Sequence, residues 1–331
     1  MISLETMIDP FGRTIRYVRI SVTDRCNLRC SYCMPDGYLG GESDILSYEE
    51  IENIAQALVG LGVRKFRLTG GEPLVRRDLP SLVARLAALP GVEDLALSTN
   101  AVLLRPHARA LKDAGLKRVN ISLDTLDPDT FKKISVNASL EQVMDGIAAA
   151  EEAGLTPIKL NMVVMKGVND MEIESMARLT FRKPWTIRFI EVMPMRQNPG
   201  KQASQYVSTA TIRGRLEAIA PWTPVDTGPL AGPAAEFRYE GAIGSVGFIT
   251  PLSHTFCGAC NRVRLTTAGK LRLCLFGESG CDLRGPLRAG ATVPELQALI
   301  LDALKMKPES HHLAPGYSGP EAPITMSSIG G

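Results

Sequence analysis

Residues 19–33 read RISVTDRCNLRCSYC and place three cysteines directly after a short β-branched run. That run ends a strand predicted at 15–21, and Cys26, Cys30 and Cys33 lie in the loop that follows it. In β/α folds the loops at the carboxyl ends of the strands carry the reactive groups. The stretch therefore predicts a β/α architecture whose chemistry begins in the first loop.

The same order of strand and helix continues to about Met193. Further strands are predicted at 65–69, 95–98, 118–123, 158–164 and 186–191. Helix starts stand between them, such as the capping box of Ser47 and Glu50 and the Asp127-Pro128 pair. Strands that alternate with helices form parallel sheets. We therefore predict an α/β fold, an incomplete TIM barrel of the (β/α)6 type.

The pattern changes after about residue 195. A linker rich in proline, glycine and alanine is predicted at 226–235. Short strands are then predicted at 236–239, 245–249, 262–266 and 270–273, with a helix near 294–305 and an extended tail at 308–331. We predict two domains: a partial barrel at 1–230, and a C-terminal α+β segment at 231–331 that closes its open side.

Composition excludes several classes of function. The chain has 331 residues, 45% of them hydrophobic, and a net charge of only +2, which does not favour a nucleic acid polymer as partner. It has no apolar run that could span a membrane, and Met1 to Pro10 lack the order of a secretory signal. We expect a cytoplasmic protein without a membrane partner. An odd count of seven cysteines favours metal ligation over a disulfide framework.

The first cysteine group has the spacing C-x3-C-x2-C. A four-iron cluster usually takes four cysteines, so three leave one iron open for another ligand. The alternative is a zinc site with His107 or Cys281 as its fourth ligand. Zinc sites favour paired C-x2–4-C spacing, so the spacing favours an iron–sulfur cluster.

The second group consists of Cys257, Cys260 and Cys274, spaced C-x2-C-x13-C. Its spacing leaves a second cluster and a zinc site equally open, with Cys281 or His254 as the fourth zinc ligand.

Seven cations lie on predicted strands, where apolar residues are the rule. They are Arg19, Lys65, Arg67, Lys159, Arg188, Arg262 and Arg264. Any one of them could form a salt bridge at the rim of the sheet. Together they favour a polyanion such as a nucleoside triphosphate, because a buried cation is costly unless an anion meets it.

The first cysteine group, with Tyr32 before its last cysteine, resembles the radical S-adenosylmethionine superfamily, and 70–73 (GGEP) resembles a second motif of that superfamily. Over nearly the whole chain the sequence is similar to the molybdenum cofactor cyclase (MoaA) family. The matching stretches are 19–26, 67–74, 166–170, 188–191 and 329–331. The resemblance implies a lyase, a GTP 3′,8-cyclase that opens molybdenum cofactor biosynthesis.

The resemblance also implies a set of ligands. Two [4Fe-4S] clusters are expected, on Cys26, Cys30 and Cys33 and on Cys257, Cys260 and Cys274. S-adenosylmethionine is expected to contact Tyr32, Gly70, Gly71, Glu72, Ser122 and Met193. GTP is expected to contact Arg19, Lys65, Arg67, Ser98, Thr99, Lys159, Arg188, Arg262 and Arg264. Catalytic roles are expected for the first three cysteines and for Arg262, Arg264, Gly330 and Gly331.

An external one-electron reductant is also expected, and a monomer or homodimer. One departure from the family is the turn at 135–138, which reads SVNA where relatives often carry an arginine.

Two other functions are weighed against this prediction. A radical enzyme that modifies peptides and holds auxiliary clusters predicts more C-terminal cysteines and no cationic interior. A zinc protein that binds RNA predicts a basic surface with exposed aromatics, whereas the chain is nearly neutral and 5% aromatic.

Overall fold

We describe a computed structural model of the chain, which covers residues 6–34, 44–193, 203–228, 230–313 and residue 329. The strands are β1 Tyr17–Ser21, β2 Arg29–Cys30, β3 Lys65–Thr69, β4 Asp94–Thr99, β5 Arg118–Ser122, β6 Ser135–Val136, β7 Lys159–Val164, β8 Thr186–Glu191, β9 Trp222–Pro224, β10 Ala235–Tyr239, β11 Ser245–Ile249, β12 Arg262–Leu265, β13 Lys270–Arg272 and β14 Gly280–Asp282. The helices are α1 Tyr48–Gly60, α2 Leu79–Ala87, α3 Ala108–Asp113, α4 Pro128–Ile134, α5 Leu140–Glu152, α6 Ile173–Arg178, α7 Thr209–Glu217, α8 Arg284–Arg288 and α9 Val293–Leu304.

Six parallel strands form the centre of the main sheet. They are β1, β3, β4, β5, β7 and β8, side by side in that order, with helices in the connections between them. This confirms the α/β fold and the six predicted β/α units. Each predicted strand is found within two residues of its predicted ends.

The C-terminal segment extends this sheet at both edges. Strand β12 pairs parallel with β1, and β11 pairs parallel with β8, so eight strands run in one direction. Antiparallel strands then continue each edge, β13 and β14 beside β12 and β10 and β9 beside β11. The predicted division into domains at residue 230 remains a prediction.

Helix α1 illustrates how the sequence determines the local structure. The Ser47 hydroxyl accepts from the Glu50 backbone N–H at 3.1 Å, and the Glu50 carboxylate accepts from the Ser47 N–H at 2.7 Å. This capping box satisfies two donors at the helix start that would otherwise lack partners. The buried face of the helix, which includes Ile51, Ile54 and Leu58, packs into the main hydrophobic core.

Parallel strands bring their carboxyl ends to one edge of the sheet, so the loops after β1, β3, β4 and β5 meet there. The first cysteine loop, the 70–73 turn and Asn100 all lie at that edge. Charged residues begin several strands at the opposite edge, among them Lys65, Asp94, Arg118 and Lys159. No helix of the described residues has the length and apolar character needed to cross a membrane.

Candidate functional site

One cavity unites the two cysteine groups, which are 224 residues apart in sequence (Cys33 to Cys257). All six of their cysteines line it, as do Arg19, Arg67, Arg188, Arg262 and Arg264. Every cysteine of the chain is a free thiol. Cys281 and His254, the fourth ligands considered for zinc, are not among the described residues that line the cavity.

The two glycines after β3 allow close packing against the loop that leads into Cys26. The Gly71 N–H donates to the Thr23 carbonyl at 2.8 Å, and the Glu72 N–H donates to the Arg25 carbonyl at 2.8 Å. A Cβ atom on Gly70 would lie 2.3 Å from the Thr23 carbonyl oxygen, and one on Gly71 would lie 2.3 Å from that of Arg25. Only glycine fits at both positions, so the motif fixes the cysteine loop to β3.

Glu72 is fully buried beside this loop. Its carboxylate accepts hydrogen bonds from the Leu74 N–H at 3.0 Å, the Thr99 hydroxyl at 2.8 Å and the Asn100 N–H at 2.7 Å. Burial raises the pKa of Glu72 to about 7 despite these donors. Three donors hold the carboxylate in one orientation at the cavity wall. Thr99, predicted as a substrate contact, lines the cavity and also supports Glu72.

Burial dominates the ionisation of the first three thiols. It raises the pKa of Cys26 to about 11 and that of Cys33 to about 12, and it raises the pKa of Cys30 as well. A metal that binds here must displace the thiol protons. Strand β6 reaches this group, because Ser135, in the turn that departs from the family, has its hydroxyl 3.3 Å from the Cys30 sulfur.

Tyr32 and Ser122, both predicted to contact S-adenosylmethionine, line the cavity together with Met193. The Tyr32 hydroxyl donates to the Asp124 carboxylate at 2.8 Å, and the same carboxylate accepts from the Val163 N–H at 2.8 Å. Burial raises the pKa of Asp124 to about 6. Asp124 therefore positions Tyr32 within the loop that carries Cys30 and Cys33.

Two buried cations hold the loop of the second cysteine group. The Arg13 guanidinium donates to the carbonyls of Cys257, Pro308 and Glu309, each at 2.7 Å, and pairs with Asp9 at 2.5 Å. The Lys307 ammonium donates to the carbonyl of Arg262 at 3.1 Å and to that of Leu273.

Two neighbouring cations affect the Cys260 thiol of this group. Burial opposes ionisation of Cys260, but Arg262 and Lys307 outweigh it and lower the pKa of that thiol. A lowered thiol pKa favours the thiolate, the form that binds metals.

The donor atoms of both cysteine groups suit iron–sulfur clusters, which take cysteine thiolates. Among the described residues, no three cysteine, histidine or carboxylate side chains converge as a site for a metal ion.

The register of three strands aligns the cations in two rows across the sheet. One row is Arg264, Arg19 and Arg67, and the next is Arg262, Tyr17 and Lys65, on β12, β1 and β3 respectively. Because side chains alternate between the faces of a strand, both rows point to the same face. Tyr17 and all four arginines of the two rows line the cavity.

Three of the seven predicted cations already have carboxylate partners. Lys65 pairs with Asp94 at 3.3 Å, and both Lys159 and Arg188 pair with Glu236, at 3.0 and 2.6 Å. Internal carboxylates therefore already neutralise part of the charge of these three cations, and their contact with a ligand stays a prediction. Lys65 and Lys159 are also absent from the described residues that line the cavity.

Several polar atoms of cavity-lining residues are buried without a hydrogen-bond partner among the described residues. They include the Tyr17 hydroxyl, the Arg67 Nε, the Ser98 Oγ, the Asn161 Oδ1, the Arg188 Nε and the His311 Nε2. Each such group costs about 1–3 kcal/mol when nothing satisfies it. A polar ligand in the cavity would remove this cost.

Gly330 and Gly331 lie outside the described residues. Ile329, which precedes them, is 1% exposed, and its carbonyl accepts from the Arg264 guanidinium at 3.4 Å. The chain therefore contacts the row of Arg264, Arg19 and Arg67 at Ile329.

Sequence reasoning missed several residues of the site: Tyr17, Asn161, Glu236, Arg13 and Lys307. Tyr17 carried a usable signal, since it lies two positions before Arg19 and so shares its face. Nothing in the local sequence predicts that Arg13 contacts the second cysteine loop, which lies 244 residues later in the chain.

Comparison with known proteins gives consistent matches along the chain. Residues 20–180 match the Radical SAM superfamily, and residues 185–313 match the family Molybdenum Cofactor Synthesis C. The chain is 50% identical over 327 residues to a GTP 3′,8-cyclase of Moorella thermoacetica, covering 98% of this chain and 100% of the relative. It is 47% identical to a GTP 3′,8-cyclase of Geobacter sulfurreducens, covering 98% of this chain and 99% of the relative.

Solved structures show the same fold. SuiB of Streptococcus suis bound to S-adenosylmethionine has a TM-score of 0.61 at 16% identity. The match covers 82% of this chain and 64% of SuiB.

Proposed function

Because the chain belongs to the GTP 3′,8-cyclase family of the radical SAM superfamily, we propose that it converts GTP to (8S)-3′,8-cyclo-7,8-dihydroguanosine 5′-triphosphate. This lyase reaction is the first step of molybdenum cofactor biosynthesis. The observation that carries the proposal is the single cavity, which joins two groups of three thiols to rows of cations on three adjacent strands.

At the first cysteine group, Cys26, Cys30 and Cys33 would hold a [4Fe-4S] cluster. Gly70 and Gly71 let the loop pack closely, and the Glu72 carboxylate would accept a hydrogen bond from the amino group of S-adenosylmethionine. Tyr32, Ser122 and Met193 would complete that site. The bound cluster and S-adenosylmethionine would supply the one-electron chemistry that removes the ribose 3′ hydrogen and permits the bond from C3′ to guanine C8.

At the second group, Cys257, Cys260 and Cys274 would hold another [4Fe-4S] cluster, which would take part in binding the guanine of the substrate. The lowered pKa of Cys260 supports metal ligation there. Arg13 and Lys307 fix the backbone around this group, so the three thiols are positioned by contacts from distant parts of the chain. We assign the first group to a barrel domain at 1–230 and the second to a C-terminal domain at 231–331.

The rows of cations would bind the triphosphate. The arginine side chains on β12, β1 and β3 face one cavity, and their forked donors suit phosphate oxygens. Lys65, Lys159 and Arg188 would also bind the triphosphate, although Lys65 already pairs with Asp94 and the other two with Glu236. Ser98, with a hydroxyl that lacks a partner among the described residues, would hydrogen-bond the nucleotide, and Thr99 would lie beside it.

Charge attraction and fixed strands thus position the substrate between the two cysteine groups, and positioning is the main contribution that a protein makes to cofactor chemistry. Arg262, Arg264 and the terminal Gly330-Gly331 would act on the reacting part of the substrate. The cycle would draw electrons from an external one-electron reductant, in a monomer or a homodimer.

The test is an anaerobic assay with reconstituted protein, GTP, S-adenosylmethionine and a chemical reductant. We expect cyclised nucleotide and 5′-deoxyadenosine in equal amounts. The variants Cys33→Ala and Cys274→Ala serve as controls. The first should lose both products, and the second should lose only the cyclised nucleotide. Formation of 5′-deoxyadenosine without any cyclised nucleotide in the unmodified protein would favour a radical enzyme with another substrate.

A further inference from the structure

Tyr17 occupies a central place in the cavity wall that the family resemblance does not assign. It begins β1 and is the register partner of Arg262 on one side and of Lys65 on the other. The side chain is 1% exposed and yet lines the cavity. Its hydroxyl is one of the buried polar atoms that have no hydrogen-bond partner among the described residues.

The surroundings of this hydroxyl are strongly positive. The Lys65 ammonium lies 4.9 Å from the centre of the Tyr17 ring, and the Arg67 guanidinium lies 5.5 Å from it. Burial alone would raise the pKa of Tyr17, but Arg67, Arg19, Lys65 and Arg262 outweigh it and lower that pKa to about 8. The phenol is therefore a stronger hydrogen-bond donor than an ordinary tyrosine.

A purely packing role accounts for the ring and not for the hydroxyl. Two cations over the ring face already give it favourable contacts. A buried hydroxyl with no partner is unfavourable, and phenylalanine would avoid that cost at the same place. The ligand that satisfies both the donor and the surrounding cations is an anion with several acceptor oxygens.

We propose that Tyr17 is a substrate-binding residue, and that its hydroxyl donates a hydrogen bond to a phosphate oxygen of the nucleoside triphosphate. This inference rests on the proposed function, because GTP supplies the polyphosphate. The residue would add a neutral donor beside the cations that we assign to the triphosphate.

The test compares the unmodified holoenzyme with Tyr17→Phe, which removes the hydroxyl and keeps the ring. The probes are GTP and inorganic tripolyphosphate, and the dissociation constants are measured by calorimetry without reductant. We expect both ligands to bind about tenfold more weakly or worse to the variant, the usual effect of losing a hydrogen bond to a charged group. Iron content, thermal midpoint and affinity for S-adenosylmethionine should stay unchanged.

Tyr239→Phe is the matched control. Tyr239 is also 1% exposed, but its hydroxyl donates to the Leu216 carbonyl at 3.1 Å, away from the residues that line the cavity. Its removal should leave both dissociation constants unchanged. An equal loss in this control would overturn the inference, since the effect would not belong to a cavity hydroxyl.

Other outcomes distinguish failure of this inference from failure of the proposed function. If Tyr17→Phe binds both ligands as tightly as the unmodified protein does, the inference is contradicted and the proposed function still stands. A loss for GTP without a loss for tripolyphosphate would contradict the assignment to phosphate. Failure of the unmodified protein itself to bind GTP would overturn the proposed function.

Discussion

The Arg188 guanidinium donates a hydrogen bond to the buried Glu236 carboxylate at 2.6 Å. The same carboxylate accepts from the Lys159 ammonium at 3.0 Å, so one internal anion neutralises two cations that we assign to triphosphate binding. An incoming triphosphate must then compete with Glu236 for both side chains. Glu236 therefore lowers the affinity for triphosphate, and it also holds both cationic side chains in place.

Glu236→Gln should bind GTP about tenfold more tightly, equivalent to ~1.4 kcal/mol, because it removes a negative charge beside the phosphates. The measurement is the GTP dissociation constant of the holoenzyme at low salt. Glu174→Gln is the control, since Glu174 makes a comparable pair with Arg215 at 2.6 Å away from the residues that line the cavity. Weaker binding by Glu236→Gln would show instead that the carboxylate is needed to position Arg188.

Arg67→Ala should weaken GTP binding about tenfold or more, because it removes a buried cation with no carboxylate partner among the described residues. Arg262→Ala and Arg264→Ala should do the same or redirect the chemistry, with both clusters intact. The control is Arg85→Ala, which removes a surface pair with Glu49 and Glu52. Unchanged affinity in all three cavity variants would place the rows of cations outside the substrate site.

Gly71→Ala should prevent assembly of the first cluster. Its Cβ would lie 2.3 Å from a backbone carbonyl of the cysteine loop, so that loop must move. Iron should fall from about eight to about four atoms per chain, the content of one four-iron cluster. Gly214→Ala is the control, because nothing lies within 4 Å of its Cβ, and it should only strengthen α7. One zinc and four irons in the unmodified protein would contradict the two-cluster proposal.

Deletion of Gly330 and Gly331 should abolish cyclisation and preserve the fold, both clusters and the cleavage of S-adenosylmethionine. The physical reason is that Ile329, which precedes these glycines, has its carbonyl 3.4 Å from the guanidinium of Arg264, a residue of the cavity wall. The readout is cyclised nucleotide measured together with 5′-deoxyadenosine. A truncated enzyme with full product yield would show that the tail plays no part in the reaction.

The sequence predicts the barrel strands well because each is short, β-branched and followed by a helix signal, and local pattern determines all three features. Strands β9 and β14 were not predicted, since three-residue edge strands depend on the neighbours that they pair with. Strands β2 and β6 were missed for the same reason, each having only two residues.

The residues of the site also fall into those that the sequence predicts and those that it does not. Cysteine spacing and the GGEP run are local signals, so the thiols and Glu72 could be found from the sequence. The pairing of Glu236 with Arg188 and Lys159 could not, because it depends on β10 lying beside β11, which pairs with β8. Tyr17 needed the registers of β12, β1 and β3 before its hydroxyl could be placed among the cations.

The most direct test of the proposed function follows the hydrogen that the reaction removes. The holoenzyme is incubated under anaerobic conditions with GTP deuterated at the ribose 3′ position, S-adenosylmethionine and reductant. We expect deuterium in the 5′-deoxyadenosine and its loss from the cyclised nucleotide, both read by mass spectrometry. Unlabelled 5′-deoxyadenosine, with the deuterated GTP recovered unchanged, would contradict the assignment of this chain as a GTP 3′,8-cyclase.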